Sequence, residues 1–208
     1  MNLFYKLTFW DDKGMIKETP LIQSKSFLKA FIWYLNATFN SGVSSSSILN
    51  VVGTLRIIFG NLEDIGILCW HPGGDSRQKY ENYTYGHYVA DSVGIITGTG
   101  TNAITVDDYV LQTPIIHGTS AGRLEYLSCA VTNLIVTGTT YSFDLQRIFK
   151  NSSGNTINIS ELGIYSVCYS YTTNYFSDVF MIVRDLVSPT QAITDGTYMK
   201  VTYTFQIT

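Results

Sequence analysis

A chain of 208 residues can bury one large core, and with 14% charged residues, against about 25% in an ordinary soluble protein, its surface is polar without being ionic. A net charge of −3 with no Lys/Arg block leaves out the electrostatic footprint of a nucleic-acid binder, so no nucleic-acid partner is expected. The longest apolar helical stretch, Phe27 to Phe39, is too short for a bilayer and carries Lys29 and Asn36, so no membrane partner is expected either.

A single domain over residues 1–208 is the simplest organisation. The opening MNLFYKLTFWDDKG lacks a basic flank followed by an uninterrupted apolar core, so synthesis in a cytoplasm is expected. Residues 3–10 alternate as a first strand and DDKG follows as its turn. Ser24 or Ser26 can then cap a helix over about residues 25–40, KSFLKAFIWYLNATFN. Its apolar residues cover most of the circumference, which suits either a core helix or an assembly helix. Phe27, Phe31, Trp33 and Tyr34 are its candidate interface residues. SGVSSSS forms a polar connector, and strand-like pieces follow near residues 55–59 and 65–70.

Residues 71–87 are a long turn-rich excursion. Its tyrosines, Tyr80, Tyr83 and Tyr85, make it the candidate contact loop, because tyrosine offers a large apolar body with one polar tip. From Gly122 onward five strand-like runs alternate with turn clusters at 137–140, 151–155, 172–178 and 188–196. So many strands and one helix predict a mainly β fold, an antiparallel β-sandwich of jelly-roll or immunoglobulin-like type with one N-terminal helix.

No complete catalytic constellation emerges, and no catalytic, cofactor-binding or metal-binding residue is assigned. GTGTNA at 98–103 lacks the Lys-Ser/Thr of a phosphate loop and reads as a tight turn that exploits glycine conformations. Gly118-Thr119-Ser120-Ala121-Gly122 fits G-x-S-x-G, but no histidine follows Ser120 as that chemistry requires, so a small-residue turn is expected. His71, His87 and His117 lack zinc-site spacing, and Asp107 and Asp108 read as turn caps. Glu63, Asp64, Asp107, Asp108, Glu125, Asp144 and Glu161 supply carboxyls, but spacing alone leaves open which of them converge. Cys69, Cys129 and Cys168 lie far apart in apolar runs and read as buried thiols. Charges set inside strand-like segments need partners if buried, so Arg147 or Arg184 is expected to pair with Asp144, Glu161 or Asp185, or else to face solvent.

Three segments, GIITGTGTNAITVDDYVLQTPI at 94–115, RIFKNSSGNTINISELGIY at 147–165 and DVFMIVRDLVSPTQAITDGTYMKVTYTFQI at 178–207, resemble a family of tailed-bacteriophage virion structural proteins, in the same order and spacing. SKSFLKAFIWYLNATF resembles that family's Ser- and aromatic-rich N-terminal helix. The resemblance implies a non-enzymatic part of the particle, in capsid decoration, collar or tail apparatus, made in the host cytoplasm and residing in the virion. Homo-oligomerisation and contact with other virion proteins are implied, with no cofactor. Low charge and abundant hydroxyl and amide side chains suit the same role, because burying them costs less than burying unpaired ions. The alternative is a receptor- or carbohydrate-binding module that meets a host-surface glycan through the tyrosine-rich loop.

Overall fold

The computed structural model describes residues 1–24, 26–32, 47–49, 55–57, 91, 93–170 and 176–208. Within them the protein is mainly β, and its strands pair antiparallel.

The first strand, β1 (Asn2–Asp11), shows why alternation specifies this fold. Leu3, Tyr5, Leu7 and Phe9 point inward and are buried, while Phe4, Lys6, Thr8 and Trp10 between them stay half-exposed. β1 turns through Asp12 and Lys13 into β2 (Gly14–Glu18), with Asp11 Oδ1 accepting the Lys13 amide at 2.8 Å. The short β3 (Ile22–Ser24) lies on the same edge of β1, further along it. On the other edge sits β12 (Tyr198–Ile207), in a register that sets Leu3 opposite Phe205 and Tyr5 opposite Tyr203. β9 (Thr140–Lys150) follows, and β7 (Glu125–Val131) and β8 (Ile135–Thr137) share its far edge. These seven strands form one sheet, ordered β2-β1-β12-β9-β7 with β3 and β8 beside β1 and β9. The run around Glu125 to Val136 does not pass straight through: it breaks at 132–134, where the Thr132 amide donates to the Asp144 carbonyl and its hydroxyl accepts the Asp144 amide.

A second sheet is ordered β11 (Phe176–Ile193), β10 (Ile157–Ser170), β6 (Gly94–Gly98), and β4 (Ser47–Leu49) pairs separately with β5 (Leu55–Ile57). The turn expected at 188–196 is shorter than that, since β11 continues to Ile193 and only 194–197 turn. Ile159 faces Gln191 while Glu161 faces Leu186, so residues 187–190 bulge opposite Ser160. Pro189 is tolerated inside the strand because a bulge asks it for no ladder N–H.

One apolar cluster joins the inward residues of both large sheets, including Leu7, Phe9, Leu145, Phe149, Met199 and Tyr203 from one and Ile95, Ile164, Phe180 and Ile182 from the other. Phe180 to Asp185 are buried at every position, which requires cover on both faces of β11.

The helix expected over 25–40 is not what the described residues form. Ser26 and Leu28 pair with the outer edge of β11 (Arg184 N to Ser26 O, Leu28 N to Ile182 O), Phe27 bridges Val183, and the helical part is one turn, residues 29–32. The backbone there finds partners on a strand edge before it can close a helical turn. Residues 33–40 lie outside the described residues.

Candidate functional site

The polar groups that come together do so beneath the segment 94–116. β6 pairs with β10, setting Gly98 opposite Glu161; the chain then leaves the sheet and returns so that Gly98 bridges Pro114 and the Thr99 amide meets the Thr113 carbonyl. Under this loop lies the Glu161 carboxylate, with the residue 0% exposed. Its Oε1 accepts the amides of Gly100 (3.0 Å) and Thr113 (2.8 Å), and its Oε2 accepts that of Gln112 (3.1 Å). Gln112 closes the loop from outside by accepting the Thr101 and Asn102 amides. The Gly/Thr loop therefore does cradle an anion, and the anion is the chain's own glutamate.

Gly98 and Gly100 are glycine for a reason different from the one expected. Neither has the positive φ that a turn would demand. A Cβ on either would stand 2.5 Å from Glu161 Oε1, so the need is for close approach rather than for conformation.

Arg184 completes the centre. It is 3% exposed and meets Glu161 Oε2 with Nε at 3.1 Å and Nη2 at 3.0 Å, Asp108 with Nη1 at 2.7 Å, and the Asn102 carbonyl at 3.3 Å. Asp108 is the expected cap, accepting the Thr105 amide and hydroxyl, while Asp107 reaches Lys29 on the exposed surface at 3.3 Å. Burial alone would push the Asp108 carboxyl up; the bonds from Thr105 and Arg184 outweigh it and hold the carboxyl below its ordinary value. Burial likewise works against the Arg184 charge, and its two carboxylate partners more than restore it.

Of the expected ion pairs, Arg184 with Glu161 is the one formed. Arg184 and Asp185 are strand neighbours and point to opposite faces. Asp185 enters the shared core, accepting Ser24 Oγ at 2.9 Å and Tyr203 OH at 3.0 Å, while the nearby Tyr5 OH donates to the Leu186 carbonyl. Burial raises the Asp185 carboxyl despite those bonds, and burial beside Asp185 pushes the Tyr203 hydroxyl well up. Tyr5 is pushed up to about 12 by burial and then by Asp185. Arg147 does not meet Asp144. It donates to the Val93 and Ile95 carbonyls and lies 4.9 Å from the centre of the Tyr126 ring, while Asp144 accepts from Thr204 and Gln146. Tyr126 in turn donates to the Ile115 carbonyl at 2.7 Å, fastening the end of the loop to β7.

The other candidates take simpler places. Ser120 is exposed in a turn closed by the Arg123 amide on its carbonyl, and the chain resumes as strand. His117 Nδ1 is occupied, accepting the Tyr126 amide at 3.0 Å. Cys129 is buried. Phe31 is 5% exposed in the core and Phe27 stacks on it, with ring centres 4.3 Å apart. Trp33, Tyr34, Tyr80, Tyr83, Tyr85, Glu63, Asp64, Cys69, His71 and His87 lie outside the described residues. Among the described residues no group of three His, Cys, Asp or Glu is placed to hold a metal ion, and no helix is long and apolar enough to cross a membrane. An open groove of about 490 Å³ runs beside the loop, lined by Thr99, Thr101, Thr156, Asn158, Ser160 and Thr190 among others.

Gln112, Tyr126 and Tyr203 are participants that the sequence did not single out, and Ser24, expected as a helix cap, instead donates to Asp185. For the two tyrosines a signal existed: each falls on an inward position of a strand, where a phenol needs a partner. Gln112 carries no such mark.

Among the described residues, fold and site define a mainly β protein with antiparallel sheets, in which Glu161 and Arg184 are spent on each other, on Asp108 and on the backbone of the 94–116 loop. No protein-family model, curated protein or solved structure matches the chain.

Proposed function

We propose that this chain is a non-enzymatic structural component of a bacteriophage virion, in capsid decoration, collar or tail apparatus, acting through assembly with copies of itself and with other virion proteins. The observation that carries the reading is where the three phage-like segments meet. Gly100, Asp108 and Thr113 come from the first, Glu161 from the second and Arg184 from the third, all at one buried centre. Segments that share an internal ionic lock work as one architectural unit, which supports treating their resemblance together rather than as three common strand patterns. Two sheets on one apolar core support the finer fold reading, a β-sandwich of jelly-roll or immunoglobulin-like kind. Mass spectrometry of purified particles tests the proposal: the chain should be present at a fixed copy number, and its absence from particles refutes the reading.

The hydroxyl- and amide-lined groove favours a second reading, a receptor- or carbohydrate-binding module, because such groups pair with a neutral glycan. Binding on an array of host-surface glycans, lost with Asn158→Ala, supports it. An array with no binding ends it.

A further inference from the structure

The inward face of the seven-stranded sheet runs past its cover. Along β9 and β12 the inward positions pass from Leu145 and Tyr203, 1% and 0% exposed, to the stacked rings of Phe143 and Phe205, centres 4.8 Å apart, and then to Tyr141 and Ile207, 49% and 57% exposed. Val136 on β8 is 54% exposed and pairs with Tyr141, which pairs with Ile207. Directly paired residues share a face, so Val136, Tyr141 and Ile207 form one exposed apolar row across three strands. Leu134, just before β8 and two residues from Val136, is 61% exposed, while Ile135 between them falls on the other face of the strand. A contiguous apolar patch of this kind marks an interaction site.

Charge indicates the occupant. Residues 130–143 and 201–207 contain no charged side chain. The opposite edge of the same sheet also exposes apolar residues, Met15 and Ile16, but sets them among Asp11, Asp12, Lys13, Lys17 and Glu18, the charges that keep sheet edges apart. Within 130–143 and 201–207 no charged side chain repels the patch's own image or steers a charged partner. The patch's shape requirement is that of the core it prolongs: another apolar sheet face. A two-fold contact brings the same surface from both sides, so a neutral apolar row is its own complement.

We propose that a second copy of this chain seats its own Val136–Tyr141–Ile207 row on this one about a two-fold axis. The proposal rests on the assembly reading and assigns a surface to it. Tyr141, central in the row, lies close to the axis and is the residue to charge.

The test uses the full chain with Tyr141→Glu and Tyr141→Lys, with sedimentation over a concentration series and thermal unfolding of each. Wild type self-associates; each variant, with a charge buried against a like charge, associates about tenfold more weakly or worse, and an equimolar mixture of the two recovers association. Variants that associate like wild type overturn this surface and leave assembly through other faces standing. A wild type that stays monomeric overturns this proposal and, with it, assembly with its own copies, while a place in the particle beside other virion proteins stands or falls with mass spectrometry of particles. A mixture that does not recover association overturns the two-fold pairing. Unfolding midpoints that drop in both variants at dilutions where wild type is monomeric mean that the chain covers the row itself, which also overturns it. Should the Tyr141 variants fail to fold, Val136→Glu is mixed both with Val136→Lys and with Ile207→Lys, since a two-fold along the row sets Val136 on itself and one across it sets Val136 on Ile207; recovery in neither overturns the pairing.

Discussion

Replacing Glu161 with glutamine removes one charge while keeping the shape of the side chain, and it strikes the buried pair beneath the 94–116 loop. The carboxylate oxygens face five donors: the amides of Gly100 and Thr113 on one, and the Gln112 amide with Arg184 Nε and Nη2 on the other. Whichever way the substituted side-chain amide turns, its NH₂ meets donors instead of offering an acceptor. Arg184 also loses its fully buried counterion and keeps only Asp108. Breaking one partner of a buried pair costs about 3–5 kcal/mol. At roughly 2–4 °C per kcal/mol for a chain of this size, the unfolding midpoint should fall by roughly 6–20 °C. Circular dichroism or calorimetric melting reads this directly. The double variant Glu161→Met with Arg184→Met removes both charges, yet it should still melt below wild type because the three loop amides have lost their acceptor. A Glu161→Gln midpoint equal to that of wild type, or a double variant that recovers it fully, refutes the claim that this carboxylate holds the loop.

Gly100→Ala places a methyl 2.5 Å from Glu161 Oε1 and should cost about 1–3 kcal/mol as overpacking, while Gly154→Ala, with open space around it and φ +76, should cost only about 1 kcal/mol for its backbone; equal losses in denaturant titrations would contradict the close-approach account. Half-buried Asp108 and buried Asp185 should act oppositely on pH dependence. The Asp108 carboxyl lies lower in the fold than its ordinary 3.8, so its contribution is present above that value and is lost as pH falls through the folded one; Asp108→Asn should flatten the acid limb of a stability curve. The Asp185 carboxyl lies higher in the fold, so its contribution is complete below 3.8 and is lost as pH rises through the folded value; Asp185→Asn should remove that decline, and an unchanged slope would count against the burial of a carboxylate there.

Much of the sheet framework was legible because alternation is a local signal. LFYKLTFW, YSFDLQRIF and YMKVTYTFQI each declare an inward face, and each forms a strand that buries it. The end of β11 was not legible, because proline and small polar residues mark a turn and a bulge alike, and only the partner strand decides between them. The helix around Phe27 misled for a related reason. Its apolar spacing is equally compatible with strand pairing, and the edge of β11 is the competitor that wins at Ser26–Leu28. In the site, charges inside strands pointed to Arg184 and Glu161, since a chain this poor in ions has few reasons to bury one. The loop over them was harder: glycines that admit a carboxylate look the same in sequence as glycines that permit a turn.

The pairing of β1 with β12 sets the order in which this molecule can be completed. Leu3 and Phe205 are neighbours in space across nearly the whole length of the chain. Bringing such distant segments together carries a loop-closure entropy of about 5 kcal/mol from its logarithmic part alone, spent before the contact returns anything. A fold dominated by such non-local pairing is slow, and on a ribosome β1 and its hairpin wait with one ladder open until β12 emerges. The seam in the large sheet between β1 and β9 thus closes only after both have been made, by residues 198–207 entering between them.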